Sequence, residues 1–273
     1  MKKLKLFAAF VFILLFSATL LYAETTEDAE AIIEQVISAE KAQMDTIRTI
    51  TYDAEYIEGE YKDDGFKEKV RFIKKVYVKY LPDTSLMHEE FLEYYKDGEL
   101  QEQKKLKSEA EDRIEKKKKR KAKDISFSML EPFYPENSAL YDISYIGIDN
   151  EEIEGYSCYH FKVNAKEEDE QLINGDFYFD VNTFFPVKVD FTPAKLVKKM
   201  MFKLNDMQLS IRYGYSPDSV WLPSQFDISG KGKAMFFIGV KFAGTEYYRN
   251  AEINSPEADK IFEELAHEQQ SEN

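Results

Sequence analysis

The chain of 273 residues has a single cysteine, Cys158, so it cannot form an intramolecular disulfide. Histidine is almost as scarce, and the three histidines are His88, His160 and His267. His88 precedes two glutamates, but no second histidine lies at the spacing that metal sites use. G-x-S-x-G, H-E-x-x-H and phosphate-binding glycine loops are absent. We therefore expect neither catalysis nor a metal or organic cofactor.

His160 and Cys158 are the only pair of reactive side chains close in sequence. They are two residues apart on a predicted strand, so they lie on the same face. A thiol without an electropositive pocket is normally inert, and no acid or nucleophile near His160 completes a catalytic arrangement. We interpret both as structural residues.

Long apolar runs are also rare. The one exception, from Leu6 to Leu21, has 16 residues, fewer than the 18 or so of a candidate membrane span. Three lysines precede it, and Ala23 follows as a small residue suited to cleavage. The pattern predicts a cleaved signal peptide over residues 1–23; an uncleaved anchor is the alternative. No cysteine follows the run, so the mature end is not a lipidated cysteine.

Cleavage would leave residues 24–273, a chain of 250 residues with a net charge of −17. This length suits one domain with a substantial core. The acidic excess favours solubility and disfavours anionic partners over most of the surface. Because no disulfide is possible, an exported chain of this kind depends on its core for stability.

A repeating apolar–polar alternation indicates a β-rich chain. The stretch from Ile153 to Phe191 predicts three strands, each with one buried face. Further strands are predicted on both sides of it, with hairpin turns at Asp64-Gly65 and Asp97-Gly98. The last two strands are predicted to join near Gly230 and Gly232.

Helical spacing is confined to three segments. Residues 25–46 carry an apolar stripe at i, i+3 and i+4 spacing, which must be covered by a sheet. Residues 256–270 begin at a proline and predict an acidic terminal helix. The third segment, residues 104–123, carries eleven Lys or Arg against four Asp or Glu.

This basic segment, with a net charge of +7, interrupts an otherwise acidic chain. One interpretation is a solvated helical insertion. The other is a transient contact with an anionic membrane surface, where each cation contributes about 1 kcal/mol. Nucleic acid is not expected, because the chain is predicted to be exported and the run lacks interleaved aromatic residues. The residues proposed for membrane contact are Lys116, Lys117, Lys118, Lys119, Arg120 and Lys121.

Three motifs resemble the LolA-like family of periplasmic outer-membrane lipoprotein carriers and their relatives. The first is DTIRTITYDAEY after the signal peptide and helix, and the second is VYVKYLPD followed by a DGEL turn. The third is EGYSCYHFKV followed by NGDFYFDVNTFFPVKVDF. The resemblance covers nearly all of the predicted mature chain, which differs from the carriers in its length and its basic segment.

The resemblance implies an α+β fold: a strongly curved, open antiparallel sheet, or half-barrel, with helices on its concave side. It also implies a periplasmic location and a role in carrying a lipid or lipoprotein acyl chains. If the sheet curves in this way, the apolar sides of the alternating strands meet on one surface. The predicted ligand-lining residues are Phe72, Val76, Val78, Phe161, Val163, Phe177, Phe179, Val187, Val189, Leu209 and Ile211.

Two functions are compatible with this architecture. One is a carrier or chaperone that sorts lipids or lipoproteins to the outer membrane by means of an apolar cavity. The other is a non-transporting envelope sensor or structural interaction module with a filled core. The residues alone do not decide between a cavity and a filled core.

Overall fold

The computed structural model describes residues 29–62, 65–81, 84–121, 130–196, 198–199, 202–216, 220–234 and 238–271. Its strands are β1 (Thr49–Lys62), β2 (Gly65–Leu81), β3 (Thr84–Lys96), β4 (Glu99–Leu100), β5 (Tyr141–Ile148), β6 (Cys158–Ala165), β7 (Ile173–Asp180), β8 (Pro186–Pro193), β9 (Lys198–Lys199), β10 (Phe202–Tyr215), β11 (Trp221–Ala234) and β12 (Ile238–Ile253). Its helices are α1, described over residues 29–44, α2 (Gln103–Lys121) and α3 (Pro256–Ser271).

All these strands belong to one antiparallel sheet. Their order is β4-β3-β2-β1-β12-β11-β10-β8-β7-β6-β5, and β9 pairs with β10. Because β4 and β5 lie at opposite ends and are not paired to each other, the sheet is open. The predicted α+β class with a large open antiparallel sheet is therefore confirmed.

Alternation along the strands gives the sheet one apolar and one polar face. On β6, Phe161 and Val163 are fully buried, whereas Lys162 and Asn164, which alternate with them, are exposed. On β2, Phe72, Val76 and Val78 are buried on the apolar face. We call these two sides the apolar face and the polar face.

The hairpin turn predicted at Asp97-Gly98 is present between β3 and β4. Lys96 pairs with Glu99, and the two residues between them, Asp97 and Gly98, have φ angles of 49° and 86°. Two consecutive positive φ angles are characteristic of a type I′ hairpin turn. The other predicted turn, Asp64-Gly65, includes Asp64, which lies outside the described residues.

The prediction that the last two strands join near Gly230 and Gly232 is wrong. Both glycines lie within β11, where they pair with Phe242 and Val240 of β12. A Cβ atom at Gly230 would lie 2.6 Å from the Phe242 ring and 2.9 Å from the Asp206 carbonyl oxygen. Gly230 therefore permits close packing inside a strand, and neither glycine forms a turn.

The helices cover both faces of the sheet. Helix α1 packs on the apolar face of β5–β8, and α2 packs on the apolar face of the β2–β3 end. Helix α3 lies on the opposite face, where Ala258 and Phe262 contact Tyr77. Tyr77 alternates with Val76 and Val78, which is why α3 and α2 lie on different sides of the same strand.

Two short 3-10 turns, Glu131–Phe133 and Pro135–Asn137, precede β5. Each has a proline at its start, where the missing N–H costs no hydrogen bond. Phe133 at the end of the first turn is 5% exposed and points into the apolar face. The segment therefore adds a second cover beside α1.

Candidate ligand surface

The apolar face of strands β5 to β8 carries a continuous group of large side chains, which we call the aromatic cluster. Its members on the sheet are buried, several of them completely. They are Tyr141, Phe161, Val163, Ile173, Phe177, Phe179, Val189 and Phe191. Contacts among these apolar and aromatic side chains stabilise the cluster through apolar burial and packing.

The cover of the aromatic cluster comes from outside the sheet. Helix α1 contributes Ile32 and Val36, one turn apart on the same side of the helix. Phe133 packs in the same cluster, with its ring edge-on to Phe161 and Phe177 at centroid distances of 5.8 and 5.1 Å. Edge-to-face contacts of this kind contribute about 0.5–1.5 kcal/mol beyond area burial.

Polar contacts hold the C-terminal half of α1. The side chain of Gln43 donates to the carbonyl of Trp221 and accepts from its backbone N–H, both at 2.9 Å. Glu40, one turn earlier, accepts a hydrogen bond from the hydroxyl of Tyr134. The N-terminal half is held by Ile32 and Val36, so the two halves of α1 are attached by different forces.

The opposite end of the apolar face contains buried charges, which we call the ionic cluster. Lys74 on β2 is 4% exposed and forms ion pairs with Glu89 on β3 and with Glu246 on β12, the latter at 2.6 Å. Its ammonium also lies 5.8 Å from the ring centroids of Tyr56 and Phe91. One cation is therefore shared between two carboxylates on an otherwise apolar surface.

The pKa of Lys74 reflects this competition. Burial lowers the pKa of its ammonium, but the charges and hydrogen bonds of Glu246 and Glu89 outweigh that cost and raise it above the ordinary value. Lys74 is therefore charged at neutral pH. The sequence did contain a signal, since Lys74 breaks the apolar alternation of β2, but it did not indicate the partners.

Helix α2 lies over this end of the face. Leu106 is 3% exposed against Phe72 and Tyr94. Arg113, two turns further on, forms an ion pair with Glu58 at 2.9 Å. Its guanidinium lies 4.6 Å from the ring centroid of Phe72 and 4.9 Å from that of Tyr56. Leu106 and Arg113 thus both attach the basic helix to the sheet, the first by apolar contact and the second by an ion pair.

The structure distributes the predicted ligand-lining residues among four groups. Phe161, Val163, Phe177, Phe179 and Val189 belong to the aromatic cluster, and Leu209 and Ile211 pack against it half-buried. The others are apart from it: Val76 and Val78 pack with Ile50, Phe72 packs under α2, and Val187 packs with Cys158 and Trp221. Their role in binding a ligand stays a prediction.

The polar face has a groove with a volume of about 740 Å³ that crosses strands from β6 to β12. Charged and amide side chains line it together with several apolar residues, and Arg212 forms an ion pair with Asp227 at 2.7 Å within it. Lys188 and Asp190 form another ion pair, also at 2.7 Å. Leu209 alone among the predicted lining residues borders this groove, whose polar lining does not suit an acyl chain.

The structure places Cys158 in a buried position and His160 beside an aspartate and a tyrosine. Burial raises the pKa of the Cys158 thiol to about 12, so it is protonated at neutral pH. His160 lies 2.8 Å from Asp176 and stacks on Tyr178. Within the described ranges, no group of three or more His, Cys, Asp or Glu side chains is placed to hold a metal ion.

Two sequence predictions, the signal peptide and the membrane contact of residues 116–121, fall largely on residues or side chains that the structure does not describe. The predicted signal peptide, residues 1–23, lies outside the described ranges. The backbone is helical as far as Lys121, but side chains are described only as far as Lys116, which contacts Asp112. Across the described ranges, no helix combines the length and the apolar character that a membrane crossing requires.

No protein-family model matches the chain, and no curated protein matches it in sequence. Solved structures do match it. An outer membrane lipoprotein-sorting protein domain from Vibrio parahaemolyticus has 8% identity and a TM-score of 0.40, with 82% of this chain and 94% of that chain covered. A LolA superfamily protein from Nitrosomonas europaea has 11% identity and a TM-score of 0.32, with 86% and 96% covered. MucB, in complex with MucA, has 8% identity and a TM-score of 0.24, with 82% and 98% covered.

Proposed function

We propose that the chain is a carrier or chaperone of the bacterial envelope that binds a lipid, or the acyl chains of a lipoprotein, on the apolar face beneath α1. The observation that carries the proposal is the nature of the cover over the aromatic cluster. Helix α1 and Phe133 contact the cluster through side chains alone and pair with no strand. Their displacement would leave the hydrogen bonds between strands intact, although it would break the two hydrogen bonds of Gln43 with the Trp221 backbone.

An acyl chain is chemically equivalent to the apolar part of the cover that it would replace. Ile32, Val36 and Phe133 provide apolar contact without directional bonds, so hydrocarbon can take their place with little penalty. Each methylene buried in this way contributes about 0.8 kcal/mol. A long acyl chain could therefore compensate for the loss of these three side chains from the cluster.

The first test asks whether the protein holds lipid. Material purified from a bacterial envelope without detergent would be extracted and its lipids identified by mass spectrometry. We expect acyl lipid at a substantial fraction of one molecule per protein. Protein that carries no lipid and binds no acyl probe would contradict the carrier function.

A charge on the binding surface gives a sharper test. Ile211 is half-buried beside the aromatic cluster, whereas Gln208 on the same strand is exposed on the polar face. We expect Ile211→Lys to weaken binding of an acyl probe by at least tenfold and Gln208→Lys to leave it unchanged. Thermal unfolding of both variants separates loss of binding from loss of structure.

A second function, that of a non-transporting sensor or structural module, is favoured by one observation. Phe161, Val163, Phe177, Phe179 and Val189 are each 0% exposed, as expected of a permanent core. On that reading, opening the cover has no function and any charge at this surface unfolds the protein, because an unpaired buried charge costs several kcal/mol. Unfolding of Ile211→Lys, together with no acyl binding by the parent, would favour this second function.

A further inference from the structure

The groove on the polar face follows one row of side chains that crosses the sheet from β6 to β12. In each pair of neighbouring strands, the two members of the row are directly opposite each other, and all of them line the groove. We call this set the central row, and its members in order are Lys162, Asp176, Asp190, Ser210, Asp227 and Thr245. Neighbouring strands lie about 4.8 Å apart, so the row is roughly 24 Å long.

A second row lies beside the central row, two residues away along each strand, and it also lines the groove. Its members are amides, hydroxyls and one alanine. Asn174 is directly opposite Thr192, and Gln208 is directly opposite Ser229. We call this set the neutral row, and its members in order are Asn164, Asn174, Thr192, Gln208, Ser229 and Ala243. The groove therefore has an uncharged side along its whole length.

The carboxylates of the central row are already bound by side chains of the protein. The partners are His160 for Asp176 at 2.8 Å, Lys188 for Asp190 at 2.7 Å, and Arg212 for Asp227 at 2.7 Å. Over the whole lining, four aspartates are accompanied by two lysines and one arginine. Because these charges nearly balance and are paired with one another, the groove has little surplus charge with which to select an ion.

The neutral row has hydrogen-bonding groups that the protein does not use. Asn164 and Gln208 are exposed, and no group in the described part of the chain hydrogen-bonds to either side chain. The same holds for the hydroxyls of Thr192 and Ser229. Asn174 accepts a hydrogen bond from the backbone of the next strand through its carbonyl oxygen, which leaves its NH₂ group for another partner. This row therefore offers both donors and acceptors to a ligand.

An aromatic ring lies at the β1 end of the groove. Tyr61 lines the groove and is 51% exposed. Its ring packs edge-on against Phe66 at a centroid distance of 5.6 Å, which helps to hold it in position. An exposed ring beside hydrogen-bonding groups gives apolar contact to a ligand whose edges are polar.

A neutral oligosaccharide matches these features. Each sugar hydroxyl both donates and accepts hydrogen bonds, as the amides and hydroxyls of the neutral row do, and the carboxylates of the central row can accept further bonds. The C–H groups of a sugar ring form an apolar surface that can pack on Tyr61. An extended peptide fits less well, because peptides that add to a sheet use the backbone groups of a free edge strand. This groove crosses the middle of the sheet, where those groups are already paired.

We propose that the groove on the polar face binds a neutral, linear oligosaccharide that lies across the strands. The proposal is independent of the acyl-chain function, because the aromatic cluster and the groove lie on opposite faces of the sheet. A glycan-binding protein that holds no lipid, and a lipid carrier that binds no glycan, would each be recognised by the corresponding experiment.

Isothermal titration calorimetry of the full purified protein with defined sugars tests the ligand class. The neutral probes are cellohexaose, maltohexaose and N-acetylchitohexaose, and the charged probe of the same length is hexagalacturonate. We expect at least one neutral hexasaccharide to bind with a Kd of about 1 mM or lower. It should bind at least tenfold more tightly than its disaccharide, because the disaccharide contacts only part of the groove. Hexagalacturonate should bind at least tenfold more weakly, since the chain is acidic.

Substitutions at two exposed residues test the location. Gln208→Ala should weaken binding of the neutral hexasaccharide at least threefold, whereas Gln35→Ala removes the same amide from an exposed position on α1 and should have no effect. Tyr61→Ala should weaken binding at least fivefold, and Tyr61→Phe should retain it because the ring remains. Thermal unfolding of each variant separates loss of binding from loss of structure.

The results that overturn the proposal are specific. Absence of binding by all three neutral hexasaccharides, or tighter binding of hexagalacturonate, overturns the ligand class. Parent-like affinity in both Gln208→Ala and Tyr61→Ala places the bound sugar elsewhere and overturns the groove as its site. Equal losses in Tyr61→Phe and Tyr61→Ala overturn the packing of a sugar on the ring.

Discussion

The two ends of the apolar face are covered by helices that are attached in different ways. At the β5–β8 end, the aromatic cluster contacts Ile32 and Val36 of α1 through hydrocarbon alone. At the β2–β3 end, α2 is attached through Leu106 and through Arg113, which pairs with Glu58 beside the buried ions of the ionic cluster. The contact of α1 with the aromatic cluster is therefore apolar, whereas the contact of α2 with the sheet includes an ion pair.

This difference indicates which end can open. Apolar contacts are non-directional, and a hydrocarbon ligand can replace them. A buried ion pair is different, because removal of one partner leaves an unpaired charge at a cost of about 3–5 kcal/mol. We therefore expect α1 to be the cover that moves and the ionic cluster to keep β2, β3 and β12 in their places.

The largest effect should follow from breaking the ionic cluster. Lys74→Met leaves Glu89 and Glu246 buried without their shared cation, and we expect a loss of about 3–5 kcal/mol in the free energy of unfolding. Urea denaturation gives the measurement. Lys75→Met on the polar face, which removes an ion pair with the partly exposed Glu257, should cost less than about 1 kcal/mol.

A triple variant with Lys74→Met, Glu89→Gln and Glu246→Gln distinguishes charge from packing. Because it leaves no unpaired charge, it should regain much of the stability that Lys74→Met loses. A triple variant no more stable than Lys74→Met would show that the shape of the lysine side chain matters more than its charge.

Truncation of a side chain in the cover of the aromatic cluster should give the next largest loss of stability. Phe133→Ala removes a ring that contacts Phe161, Phe177 and Phe179, and we expect a loss of about 3 kcal/mol. An acyl probe that fills the space should restore part of the melting temperature. Leu140→Ala, at a nearby residue that is 42% exposed, should change stability by about 0.5 kcal/mol or less.

Removal of the apolar attachment of α2 should have a smaller effect. Leu106→Ala should cost about 2 kcal/mol and increase hydrogen exchange in α2, because it removes the fully buried apolar contact of the helix with Phe72 and Tyr94. Leu100→Ala, at a residue 62% exposed, provides the control. If exchange in α1 increased equally, the two covers would not be independent.

We expect the smallest effect from the titration of Lys74, which should lower the free energy of unfolding at alkaline pH. Because the pKa of Lys74 is raised in the folded protein, its contribution is complete below the unfolded pKa of about 10.4 and is lost as pH rises through the folded value. One group can change the free energy of unfolding by at most about 1.4 kcal/mol per pH unit. Buried tyrosines have the same sign, so the difference between parent and Lys74→Met isolates the lysine. Parallel curves between pH 9 and 11.5 would show that Lys74 does not titrate there.

Local sequence patterns were sufficient to predict strands and turns whose partners are near one another in the chain. The alternation from Ile153 to Phe191 predicted three adjacent strands, and these are β6, β7 and β8. The Asp97-Gly98 turn was also predictable, since its geometry requires residues that tolerate positive φ. Gly230 was misassigned because a glycine packed under a neighbouring ring and a glycine in a turn look alike in one sequence.

Alternation along each strand thus determined which side chains face the apolar side, because a period of two assigns faces residue by residue. It could not determine which strands are neighbours: β1 pairs with β12, and Lys74 meets Glu246 across 172 positions of sequence. The separation of the predicted lining residues into four groups and the two kinds of cover were likewise decided by tertiary packing. These features depend on strand pairs and ion pairs between residues that are distant in sequence. Such pairs satisfy the backbone hydrogen bonds and the buried charges, and a local sequence pattern does not identify the partners.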